Sequence, residues 1–255
     1  ASRRLRAFDD VDPLEDAGAM PKHTDAGSPE VAGPPTAIMQ ARLGWFLLAL
    51  VIALGLLVTF GIGQQVDRRI LKALAFRQNV TSEALIVAAQ WITWGGAAAQ
   101  RSIAMVVFAC WLLWRRRPYP ALLMVVAPPF AGATSSILKE AFGRARPDVV
   151  PHLDLVTNLS FPSGHATNVT ATLLLASLLL GEQRRYFWIG TAILGAAAIG
   201  ASRILLGVHW PSDVIGGWFW GAGIALLGLS ISRRLETRQN ANRTPTLISR
   251  PESGA

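Results

Sequence analysis

Apolar residues in this 255-residue chain gather into runs of about twenty, and the charges fall between the runs. The first run, Leu43 to Ile62, is twenty residues long and has no ionisable side chain. At 1.5 Å per residue, a helix of that length crosses a hydrocarbon core of about 30 Å. Five later runs read the same way, although polar residues interrupt several near one end: Gly96 to Trp114, Tyr119 to Leu138, Ser163 to Leu180, Tyr186 to Leu206 and Val214 to Ile231. The pattern predicts an all-α fold, a six-span transmembrane helical bundle, with both termini on the same side. Between the first two runs, Val66 to Phe76 mixes apolar residues with Arg68, Arg69 and Lys72 at roughly helical spacing. That stretch reads either as an interfacial helix or as a solvated loop.

The flanks have a different composition. Residues 1–40 carry five prolines and scattered acids with few large apolar side chains, too little apolar surface to offset the entropy of ordering. They are expected to form a disordered tail, residues 41–235 the six-span domain, and residues 236–255 a second disordered tail. The start lacks the basic, short-apolar, small-residue order of a cleavable signal, so the first run is expected to be retained as an anchor.

Charge refines the picture. The net charge is +8, but the arginines cluster beside apolar runs, as at Arg115 to Arg117, Arg184-Arg185 and Arg233-Arg234, where they set topology and do not form a nucleic-acid surface. One face of the bundle receives those groups with Arg42 and Arg238; the other receives Arg68, Arg69, Lys72 and Arg77. The first face is therefore expected to be cytoplasmic, in a plasma or inner membrane, with both termini on that side. Trp45, Trp114, Trp188 and Trp210 fall near run ends, as interfacial belts do. The single cysteine, Cys110, sits inside an apolar run and is expected to be a packing residue.

Three polar clusters remain: Lys139 with Arg146-Pro147, then Pro162-Ser163-Gly164-His165, then Ser202-Arg203 with His209 and Asp213. With six crossings all three lie on one face, opposite the cytoplasm. Lys139, Arg146 and Arg203 stand at or just past the ends of apolar runs, where an unpaired charge is costly, and three converging cations can neutralise a phosphoryl group and its transition state. Ser163-Gly164 opens the fourth run, so backbone N–H groups at a helix start, a hydroxyl donor and a residue without a side chain form an anion site. His209 and Asp213 are four apart with Pro211 between them in a first helical turn, which lets the carboxylate fix the imidazole tautomer and frees the other nitrogen to attack phosphorus. His165 is then the general acid for the departing oxygen. Arg144 and Ser202 are possible auxiliaries, Arg101 inside the second run needs a partner and faces either the site or a water-filled cleft, and His152 lies in the same external loop. His23 has no company. The histidines are not set out with acidic or cysteine ligands at metal-binding spacings, and the cations fill the role of a divalent ion, so neither metal nor other cofactor is expected.

Taken together, the three clusters resemble the complete signature of the type 2 phosphatidic acid phosphatase superfamily, from about the first run to the sixth. The resemblance implies metal-independent dephosphorylation of a membrane lipid phosphate or diphosphate through a phosphohistidine. It makes His209 the nucleophile, Asp213 its orienting acid, His165 the general acid, and Lys139, Arg146, Ser163, Gly164 and Arg203 the phosphate cradle. The run Gly207 to Asp213 is most similar to bacterial undecaprenyl diphosphate and phosphatidylglycerophosphate phosphatases. Undecaprenyl diphosphate or a related lipid phosphate is the expected substrate. The alternatives are phosphatidylglycerophosphate, phosphatidate or lipid A as substrate, transfer of the phosphoryl group to another lipid, and the vanadate-dependent haloperoxidase chemistry of soluble members. The lipid tail and the oligomeric state are not legible.

Overall fold

The computed structural model describes residues 35–180 and 183–243, and the regular structure of these is entirely helical. The elements are α1 (Pro35–Thr59), α2 (Gln64–Leu74), α3 (Glu83–Gly95), α4 (Ala98–Trp114), α5 (Pro118–Phe142), α6 (Gly164–Leu179), α7 (Arg185–Leu205) and α8 (Pro211–Arg243). Helix begins at Pro35 and runs to Arg243, inside both stretches expected as tails; residues 1–34 and 244–255 of those tails lie outside the described residues.

By length and composition, four helices can cross a membrane: α1, α5, α7 and α8. The pair α3 and α4 passes the same test together, bent by 44° at its break. Their outer surfaces are apolar: Leu56 and Leu57 on α1, Val106 and Val107 on α4, Val125, Val126 and Phe130 on α5, and Ile193 and Leu194 on α7 are all exposed. The inside is mainly apolar too but also holds polar side chains, with Ser135, Thr167, Thr172, Ser177 and Ser230 buried. This arrangement is expected where the surrounding medium is hydrocarbon and polar groups find partners only within the bundle. Cys110 follows the same logic. It is exposed on α4 and does not pack inward as expected, because an apolar run does not distinguish a lipid-facing position from a core one.

α8 packs against α1, α5 and α6. It approaches α6 closely because it carries glycine at the contact. A Cβ at Gly217 would lie 2.6 Å from the Ser163 carbonyl oxygen, and one at Gly221 would collide with that of Thr167. Such small-residue seams replace the hydrophobic drive that is missing between helices in lipid. α6, only 16 residues long, is enclosed by α5, α7 and α8, with Ala166, Ala171 and Leu175 fully buried. The N-terminus of this central helix, the end of α5, the end of α7 and the start of α8 meet at one end of the bundle.

α2 occupies the stretch read as an interfacial helix or a loop, and settles it as helix. α3 was not anticipated; its 13 residues are too few for a span, and Gly95-Gly96 parts them from the run that follows. Arg101 donates to the Gly96 carbonyl at 3.3 Å, at the break between α3 and α4, which gives it a backbone partner.

Candidate active site

The end of α5 sets the first cluster. Lys139 is in its last turn, buried, and its Nζ donates to the carbonyls of Leu159 at 2.6 Å and Ser160 at 3.2 Å. Gly143 then stops the helix in the left-handed conformation, with φ 60° and its N–H on the Lys139 carbonyl, a turn that other residues adopt only with strain. The chain leaves with Arg146 spread over two segments. Its Nε and Nη2 bind the carbonyl and side chain of Asn158, and its Nη1 donates to the Val208 carbonyl at 2.6 Å and lies 3.3 Å from His209 Nε2.

The second and third clusters are tied together through the backbone. Ser163 is the N-cap of α6, and its N–H donates to the Asp213 carbonyl at 2.9 Å. Gly164 begins the helix; a Cβ there would meet only Lys139 Cε, at 4.0 Å, so the space above it is open. The end of α7 is closed by Gly207, φ 75°, where a Cβ would run into the Pro151 carbonyl at 2.7 Å. That turn delivers His209 to the start of α8. Asp213, in the first turn of α8, places Oδ2 at 3.3 Å from His209 Nδ1, and the same oxygen accepts the Trp210 N–H at 2.9 Å and the Ser160 hydroxyl. With Nδ1 toward the carboxylate and Nε2 toward a guanidinium, which only donates, the imidazole carries its proton on Nδ1 and a lone pair on Nε2. Burial pushes the His209 pKa down to about 3, against the pull of Asp213, so the ring is neutral at physiological pH. Burial and the neighbouring Arg203 lower Arg146 to about 10, which leaves it cationic.

These groups enclose a cavity of about 230 Å³ lined by Lys139, Arg146, Gly164, His165, Arg203 and His209, together with Asp154 and residues 155–158. Arg203 is 2% exposed and donates through Nη1 to Asp154 at 2.5 Å and to the Thr93 hydroxyl at 2.8 Å. The buried polar atoms at this end without a protein partner include Arg203 Nε and Ser163 Oγ. An unpaired buried donor costs roughly 1–3 kcal/mol, a cost that an anion accepting from it removes.

A sequence profile of the PAP2 superfamily matches residues 120–236, a range that contains all three clusters. Phosphatidylglycerophosphatase B of Bacillus subtilis is 30% identical over 158 residues, 56% of this chain and 77% of that protein. The chain belongs to the PAP2 superfamily. An undecaprenyl-diphosphatase of Sulfolobus acidocaldarius is 28% identical over 201 residues, 76% of this chain and 93% of its own length. A crystal structure of a transmembrane PAP2 type phosphatidylglycerolphosphate phosphatase from Bacillus subtilis superposes with a TM-score of 0.69 at 24% identity, covering 75% of this chain and 96% of that one, which is a likeness of fold. Against two Rhizobium lipid A 1-phosphatases the match spans 42% and 53% of their lengths, about half of those relatives.

Two of the expected auxiliaries of this PAP2 chain stand away from the cavity. Ser202 turns its hydroxyl to the Ile199 carbonyl of its own helix, at 2.7 Å. Arg144 lies behind Asp213, bridging it to Asp67 at 2.5 and 2.6 Å. His152 is held by the Pro147 carbonyl at 2.7 Å and faces a neighbouring cleft. Trp210, expected in an interfacial belt, is 3% exposed; its Nε1 donates to the Ala145 carbonyl, with Arg68 and Arg144 against its ring. Asp154, Asn158, Ser160, Thr93 and Asp67 were not anticipated. For Asp67 the available signal was a lone acid among the basic residues of an amphipathic helix.

Proposed function

We propose that this protein is an integral membrane phosphatase of lipid phosphates or diphosphates, working without a metal ion through a phosphohistidine on His209. The observation that carries the reading is the convergence of Lys139, Arg146, Arg203 and His165 on one cavity that His209 also lines, with its Nε2 3.3 Å from Arg146. At about 230 Å³ the cavity is below the ~300 Å³ at which sites for whole drug-sized ligands begin, so it suits a phosphate headgroup whose tail stays in the bilayer.

In this mechanism the three cations, the Ser163 hydroxyl and the backbone at Gly164 bind the phosphoryl oxygens and stabilise the charge that grows on them. The His209 Nε2 lone pair forms a bond to phosphorus as the bond to the lipid oxygen breaks, and His165 gives that oxygen a proton. Asp213 holds the Nδ1 proton and stabilises the ring as it becomes cationic. Water then attacks phosphorus and passes a proton to His165, the N–P bond breaks, and phosphate leaves.

The topology completes the reading. In this reading the bent pair α3 and α4 is a fifth span beside the four helices long enough to cross, and the enclosed α6 a short sixth; six crossings would leave both termini on one side, and the arginine groups there favour the cytoplasmic side, with the cavity opposite. α6 is about 24 Å long at 1.5 Å per residue, so its N-terminus is recessed from the surface and reached from the headgroup region. The apolar outer faces of α1, α4 and α5 speak against the soluble haloperoxidase reading. Undecaprenyl diphosphate is the favoured substrate because the undecaprenyl-diphosphatase match covers 76% of this chain. Phosphatidylglycerophosphate, phosphatidate and lipid A share its phosphate and are the alternatives, as is transfer of the phosphoryl group to a second lipid.

The test is phosphate release by purified protein from these four lipids without an acceptor lipid, with and without EDTA. Turnover is expected to survive chelation, to be inhibited by vanadate and to fall by ~10⁴-fold or more in His209→Gln, as when a nucleophile is removed. Turnover that survives in His209→Gln, or that EDTA abolishes and a divalent ion restores, overturns the mechanism.

A further inference from the structure

Asp67 has no role in the steps above, yet it is 5% exposed and lies in the first turn of α2, a helix outside the part of the chain that carries the three clusters. Its partners account for the burial. Oδ1 accepts the Ser212 N–H at 3.0 Å, while Oδ2 accepts the Ser212 hydroxyl at 2.5 Å and Arg144 Nη2 at 2.6 Å. Arg144 spends its other terminal nitrogen on Asp213 Oδ1 at 2.5 Å and the Ser212 hydroxyl at 2.7 Å. Asp213 Oδ2, which Arg144 leaves alone, serves His209 along with the Trp210 N–H and the Ser160 hydroxyl. The side chains of Asp67, Arg144 and Asp213 are 7%, 8% and 0% exposed, so these charge-assisted bonds are shielded from water.

A guanidinium and a single carboxylate pair most strongly when both terminal nitrogens meet both oxygens. Here Asp67 occupies one of those nitrogens, so Arg144 grips Asp213 by one oxygen only. Without Asp67, the Arg144 fork would be free to close on both oxygens of Asp213 and draw Oδ2 away from the imidazole. We propose that Asp67 is a positioning residue for the nucleophile: by holding one arm of Arg144 it keeps the guanidinium off Asp213 Oδ2, so that this oxygen stays on His209 Nδ1. The amphipathic helix that carries it, with Val66, Ile70 and Leu74 exposed, is thereby joined to the reacting histidine through two side chains. The assignment rests on His209 as the nucleophile.

The experiment compares Asp67→Asn with wild type in the full chain in detergent. Phosphatidate in mixed micelles gives kcat and KM, orthovanadate gives an inhibition constant, and ¹⁵N-histidine spectra give the His209 tautomer, assigned by its loss in His209→Gln. We expect kcat to fall ~10- to 100-fold, as for a reacting group misplaced by about an ångström. KM and vanadate inhibition stay within about twofold, since the cradle is untouched. The His209 Nδ1–H form loses population, and Asp67→Asn adds no further loss in an Arg144→Gln background, because the two act through one path. An unchanged kcat and tautomer with only a lower thermal midpoint would mean that Asp67 merely holds α2 in place, and would overturn the proposal. If His209→Gln turns over as fast as wild type, the phosphohistidine reading fails separately. The spectra then decide alone, and an unaltered tautomer in Asp67→Asn sinks the positioning role.

Discussion

Behind His209, Asp213 accepts from Arg144, Ser160, Trp210 and the imidazole itself, and Arg144 is divided between two carboxylates. On the cavity side, Lys139, Arg146 and Arg203 face one small space with Asp154 the acid among its described lining, Arg203 Nε has no partner, and Ser163 Oγ, at the adjoining N-cap of α6, is buried without one. The contrast separates two tasks. A saturated network fixes one geometry, and losing any member leaves a buried charge exposed to its full desolvation cost. An unsaturated one holds donors in place for an anion that arrives later, so no reorganisation is needed when charge develops.

The comparison breaks most visibly at Arg203. Arg203→Lys keeps a cation but removes the fork and the unpaired Nε, and kcat/KM on phosphatidate is expected to fall ~10²- to 10³-fold, the loss typical of one donor to a developing anion. Vanadate inhibition should weaken with it. Asp67→Asn, on the other side, should leave vanadate binding nearly intact. Equal loss of vanadate binding in both variants would erase the distinction between cradle and relay.

A matched serine pair sharpens it. Ser163→Ala removes a hydroxyl without a partner, so stability should be unchanged or rise by up to ~1 kcal/mol while kcat/KM drops about tenfold, the worth of one hydrogen bond to a charged group. Ser160→Ala takes a donor from the buried Asp213 and should destabilise by roughly 1–3 kcal/mol. Thermal midpoints and phosphate release on the two variants read both signs, and the opposite order of stabilities would refute the assignment.

What the chain disclosed and what it hid follow the same division. Lys139, Arg146, His165, Arg203 and His209 were legible because a charge or an imidazole at the end of an apolar run is costly unless used. The pairing of His209 with Asp213 is local, four residues apart, and the helix start at Pro211 makes it readable. Arg144 was legible only as a possible auxiliary, because the direction of its fork depends on Asp67, 77 residues away. The Ser212 contacts of Asp67 span 145 residues and leave no periodic trace. Trp210 and Cys110 show a further limit: distance to a span end, or membership of an apolar run, says nothing of whether a side chain points to lipid or to protein. The helix α3 was hidden because its glycine-marked break at Gly95-Gly96 separates it from the longer run.

The mildest test uses pH and asks how dry the saturated side is. Burial holds His209 at about 3 in the folded protein, while an unfolded imidazole titrates near 6.5. Between those values the unfolded chain binds the extra proton, so the neutral ring stabilises the fold above pH 6.5 and that contribution is lost progressively as pH falls toward 3. From pH 7 to pH 5 the loss is on the order of 2 kcal/mol, and His209→Gln, which has nothing to titrate, escapes it. Thermal midpoints of the two proteins in detergent should therefore converge or cross as pH is lowered, while the fraction of folded wild type with a neutral nucleophile stays close to one at pH 5. Parallel declines in both proteins would mean that water reaches the imidazole, and that the region behind His209 is no more closed than the cavity in front of it.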